Sequence, residues 1–97
     1  MRISEFQRLI EKTYLKRDSA RGMGGTFMWF TEEVGELASA LREGTQEEKV
    51  NEFADVFAWL CSLASIAGIE MEEAIKKYTG GCPGCGHIPC KCADEKS

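Results

Sequence analysis

Residues 31–60 read TEEVGELASALREGTQEEKVNEFADVFAWL. Gly44 and Thr45 split this stretch into two halves, each with apolar residues at helical spacing. Thr45 with Glu48, three residues on, is the pattern of a capping box at a helix start. Gly44 before it suits a helix end. The stretch therefore predicts one helix closing at Glu43, a tight turn, and another opening at Gln46. Fifteen residues separate Glu36 from Glu52 across that turn. Glu52 and Asp55 lie in one of the most apolar runs of the chain, where acids are unexpected.

Outward from there, the rest of the chain also reads as helix. Ile3, Phe6, Leu9, Ile10, Tyr14 and Leu15 recur close to a 3.6 period, giving a helix from Ile3 to about Arg17. DSARGMGGT at 18–26 is expected to break it. A second helix then covers about Thr26 to Glu43, with Thr26 or Thr31 as candidate N-cap. The third runs from Gln46 to about Ala67 and stops at Gly68. A short fourth covers about Met71 to Tyr78. The expected fold is all-α, a compact bundle of about four helices over residues 1–80. Residues 81–97 change composition and form a separate Cys-rich tail.

At about 100° per residue, Val50, Phe53, Ala54, Phe57, Leu60, Cys61 and Ala64 make one stripe of the third helix. Val56, Trp59 and Leu63 make a second, with Glu52 on the same side and Asp55 at its edge. A helix apolar on two sides is covered on two sides. So short a chain has few helices for that, and a homo-oligomer is expected to complete the bundle.

Ninety-seven residues bound one small domain. A hydrophobic share of 43% argues against disorder. No run of about 18 uncharged apolar residues spans a membrane. The N-terminal segment is charged throughout and has no signal-peptide core, so a cytoplasmic location is expected. Residues 1–25 carry six basic and three acidic residues, whereas 26–79 carry four basic and eleven acidic. This acidic middle disfavours a long nucleic acid, which needs a basic track. It fits a hard cation.

Glu33 and Glu36 are three apart, as are Glu52 and Asp55. On a helix that spacing puts each pair on one face. If the two helices pack antiparallel across Gly44, the four carboxylates converge. A divalent cation would relieve their repulsion, and carboxylate oxygens suit Mg²⁺ or Mn²⁺. The competing reading is a set of solvated acids or salt-bridge partners. Spacing alone leaves both open.

TFMWFTEEVGELASALREG, followed by EFADVFAWLCSLASIAGIEMEEAIKKY, resembles the MazG-like nucleotide pyrophosphohydrolases. Their EExxE and ExxD signature reads here as Glu32, Glu33 and Glu36, then Glu52 and Asp55. The resemblance covers about residues 10–80. It implies a homodimer or homotetramer and Mg²⁺-dependent cleavage of a nucleoside triphosphate to the monophosphate and pyrophosphate. It implies that Glu33, Glu36, Glu52 and Asp55 ligate the metal. Glu32 would assist, on a further metal or on the attacking water. Arg17, Arg21, Lys76 and Lys77 are candidate contacts to the triphosphate. Trp29 is a candidate base contact as well as a packing residue. Many relatives carry an Asn soon after ExxD, where this chain has VFAWLCSLA with Trp59.

The tail contains CPGCGHIPCKC. Cys82, Cys85, Cys90 and Cys92 are candidate zinc ligands, with His87 as a substitute. Redox-labile disulfides and no ordered role are the other readings. Cys61 reads as plain packing. Lys91 and Lys96 are the tail's only cations. The alternative to an enzyme is a non-catalytic helical dimer whose zinc knuckle binds a protein or nucleic-acid partner.

Overall fold

The computed structural model describes residues 1–93. Lys96 and the end of the expected tail lie outside the described residues. Helix α1 spans Ile3–Glu43, α2 spans Gln46–Ile66, and α3 spans Met71–Ala74. A 3₁₀ turn at Ile75–Tyr78 continues α3. No strand forms among the described residues, and the protein is all-α.

A straight helix the length of α1 would reach about 60 Å, yet the longest extent of the chain is 44 Å. The helix is broken, and it breaks at Gly22, with φ 83 and ψ 174. That conformation is essentially reserved for glycine. The limbs on either side, 3–21 and 23–43, are both helical. The expected loop over 18–26 is therefore a correction: one residue of positive φ redirects the chain, while Gly24 and Gly25 stay helical. Thr26 and Thr31 consequently cap nothing. Thr26 is fully buried and accepts a bond from Arg21, and the Thr31 hydroxyl donates to the Met28 carbonyl at 2.8 Å.

The turn at Gly44-Thr45 forms as expected. The Glu48 amide donates to Thr45 Oγ1 at 3.1 Å, and the Thr45 amide donates to Glu48 Oε1 at 2.8 Å. These bonds hold the Glu48 carboxyl below its ordinary range. At Gly44 a Cβ would lie 2.7 Å from the Ala40 carbonyl oxygen, so the tight exit from α1 excludes a larger residue. Gly68, at φ 74, follows the end of α2.

The far end of the molecule is held by Gln7, a fully buried side chain. Its Nε2 donates to Ser65 Oγ and to the Ile69 carbonyl, at 3.1 and 2.9 Å. Its Oε1 accepts from the Met71 amide at 2.8 Å. One amide thus ties α1 to the end of α2 and the start of α3. Ser65 in turn donates to Glu11 at 2.7 Å, and Arg8 pairs with Glu11 and Glu70.

The apolar core within the chain is small. Ile10, Ala40, Cys61 and Ala64 are its buried apolar residues. Phe27, Val34 and Leu41 of α1 are exposed, as are Val50, Phe53, Phe57 and Leu60 of α2. The stripe expected to be the main core of the third helix is therefore largely open, although Phe57 stacks on Phe6 at 5.3 Å. That stripe is closed at its C-terminal end, at Cys61 and Ala64, whereas Glu52, Asp55, Val56, Trp59 and Leu63 on the other side of α2 are all half-buried.

Candidate functional site

The second limb of α1 and α2 run back along each other from the Gly44 turn. Trp29 and Trp59 are equidistant from Gly44 in sequence, and so are Glu36 and Glu52. Both pairs meet. The indole rings stack with centroids 6.3 Å apart and planes 14° from parallel. Carboxylate oxygens of Glu33, Glu36 and Glu52 all lie within 4.8 Å of one another.

Glu33 Oε2 and Glu52 Oε2 are buried and have no hydrogen-bond partner among the described residues. Unpartnered buried oxygens are costly, and more so when charged. Burial first, then Glu36, then Asp55 and Glu52, push Glu33 up to about 7. Burial, then Glu36 and Asp55, also raise Glu52. Asp55 lies outside the tight trio, yet its charge acts on both Glu33 and Glu52. Glu32 is exposed beside Glu33. Converging oxygens, two of them orphaned, suit a hard divalent cation. The residues present fit Mg²⁺ or Mn²⁺.

Two clefts flank this cluster. One, of about 980 Å³, takes in Glu36 and Glu52 and runs past the Gly44 turn to Val50 and Ala54. The other, of about 240 Å³, lies against Asp55 and is walled by Tyr14, Arg17, Asp18, Arg21 and Trp59. Among the candidate phosphate contacts, Arg17 and Arg21 line the smaller cleft together with Asp55. Lys76 and Lys77 line neither cleft. Lys76 pairs with Glu73 at 3.1 Å, and Lys77 sits 5.6 Å from the Tyr78 ring centroid. Trp29 is 48% exposed beside its partner Trp59.

Arg21 is firmly placed. It pairs with the buried Asp18 at 2.9 Å, donates to Thr26 at 3.3 Å, and lies 5.0 Å from the Trp59 ring centroid. Its aliphatic stem crosses Gly25, where a Cβ would come within 2.7 Å of Arg21 Cγ. The break at Gly22 thus falls inside a set of contacts that orients a cation toward the cleft. Sequence reasoning missed Asp18, because it assigned 18–26 to a loop. The available signal was the Asp18–Arg21 spacing of three, which sets the two side chains on one face if the segment is helical.

In the tail, the sulfur atoms of Cys82, Cys85, Cys90 and Cys92 all lie within 4.8 Å of one another, and the cysteines are free. Cys61 is buried in α2, away from them.

An all-helical hairpin with a bent arm, carrying a carboxylate cluster at its helix–helix seam, is the class of domain defined here. The family model for the MazG nucleotide pyrophosphohydrolase domain matches residues 24–85, and the chain belongs to that family. A search of the curated proteins finds no match.

Proposed function

We propose that this protein is a Mg²⁺-dependent nucleoside triphosphate pyrophosphohydrolase, cleaving the α–β phosphoanhydride of an NTP or dNTP to the monophosphate and pyrophosphate. The observation that carries this reading is the trio Glu33, Glu36 and Glu52, with two buried, unpartnered oxygens, inside the segment that matches the family.

Glu33, Glu36 and Glu52 would hold the cation, with Asp55 completing the set from the next turn of α2. Mg²⁺ or Mn²⁺ held there would neutralise phosphate charge and lower the pKa of a water. Glu32, beside the cluster but open to solvent, would orient the attacking water or take its proton. Arg21, fixed by Asp18 and Thr26, meets phosphate oxygens in the smaller cleft, and Arg17 reinforces it. A guanidinium held this way loses little freedom on binding an anion. The stacked Trp29 and Trp59 offer an aromatic wall for the base.

The open faces of α1 and α2 support a homo-oligomer, a dimer or tetramer, as the working form. The proposed location is the cytoplasm, where nucleoside triphosphates and reduced thiols coexist. Glu36→Gln and Asp55→Asn test the site. Each should abolish pyrophosphate release while leaving the helical circular dichroism spectrum intact. Full activity in both variants would remove the carboxylates from the chemistry.

A further inference from the structure

We infer that Cys82, Cys85, Cys90 and Cys92 form a structural Zn²⁺ site that folds the C-terminal segment independently of the carboxylate centre. The first argument is distance. A tetrahedron with Zn–S bonds of about 2.3 Å has edges of about 3.8 Å. Cys82 Sγ and Cys92 Sγ stand 3.7 Å apart, and all four sulfurs fall within 4.8 Å. A disulfide needs about 2.05 Å, so the sulfurs are spaced for a shared ion and not for bonds to one another.

The second argument is how the backbone presents them. Residues 83–85 form a turn closed by the Gly86 amide donating to the Cys82 carbonyl at 2.6 Å. The Cys82 amide donates to the His87 carbonyl at 3.0 Å. Cys90 and Cys92 lie in a stretch without helix or turn. The Lys91 amide points at Cys85 Sγ and the Cys92 amide at Cys90 Sγ, at 3.3 and 3.4 Å. Amides directed at sulfur are the outer-shell contacts that tune a thiolate ligand. At Gly84 a Cβ would lie 3.2 Å from Cys92 Sγ and 3.7 Å from Cys82 Sγ, so glycine leaves the sulfurs their room.

The third argument is the lack of any other support. The segment 79–93 adds no buried aliphatic or aromatic side chain, and Ile88 is 82% exposed. A short segment without a core needs a metal or cross-links to hold one conformation. Four thiolates close the coordination sphere and leave no position for a reacting water, so the ion has a structural role. His87 is not needed as a ligand. Soft thiolates and hard carboxylates also keep the two centres chemically separate.

The test uses the full chain purified under reducing conditions. Elemental analysis should find one zinc per chain. Exchange with Co²⁺ should give the visible absorption of a tetrahedral tetrathiolate centre. Both signals should vanish in Cys82→Ser/Cys90→Ser and persist in Cys61→Ser. Gly84→Ala should weaken zinc binding roughly tenfold to a hundredfold, as outer-shell changes do. A metal-free wild type that gives no Co²⁺ spectrum overturns the inference, even if the variants fail to fold. So does zinc that survives undiminished in the double variant, since the four thiolates would then not be its ligand set. Neither result depends on whether a nucleotide is cleaved.

Discussion

Glu33 shows what the site asks of one side chain. Its carboxyl ordinarily ionises near 4.5, and the folded chain raises this to about 7. Between those values, the folded metal-free protein keeps a proton that the unfolded chain has released. Stability therefore falls as pH rises through that window, and levels off above it. The melting temperature of metal-free protein should show this decline, and Glu33→Gln should make it shallower, leaving the part that the likewise raised Glu52 contributes. An equal decline in the variant would mean that Glu33 is not the group responsible. The i,i+3 spacing of the acids was legible in the sequence, because helical geometry is local. Which carboxylates touch was not: Asp55 stands outside the trio because register across two helices decides it. Gln7 was invisible for the same reason. A polar residue in an amphipathic helix reads as surface, and its partners lie 58 to 64 residues away.

Among the elements, α1 departs most from its sequence pattern. Gly22, Gly24 and Gly25 look equivalent in one dimension. The break falls at Gly22, with Arg21 bridging to Asp18 before it and Thr26 after it. A Cβ at Gly22 would meet nothing within 4 Å, so space is not the constraint. Gly22→Ala should cost about 1–3 kcal/mol through backbone strain alone. Chemical denaturation measures it, and an unchanged midpoint would show that the bend does not require positive φ. The α2 start was legible to the residue, because Thr45 and Glu48 form both bonds of the cap within one turn.

On the scale of the whole molecule, the apolar stripes were legible but not their partners. Val50, Phe53, Phe57 and Leu60 read as the core of the third helix, and the chain leaves them exposed while it half-buries the acidic side. Periodicity reports which residues share a face, not what the face meets. Sedimentation equilibrium should give a dimer or tetramer, and Phe53→Glu should shift it toward monomer. A wild type that is monomeric at all concentrations would leave these faces without the copy proposed to cover them. The most direct test of the proposed function is the identity of the products. Purified protein is incubated with Mg²⁺ and a panel of canonical and modified nucleoside triphosphates, and the phosphorus products are resolved by ³¹P NMR. The expected result is monophosphate and pyrophosphate in equal amounts, absent with Glu36→Gln. Intact triphosphates with every divalent metal tried, or diphosphate with inorganic phosphate, would contradict it.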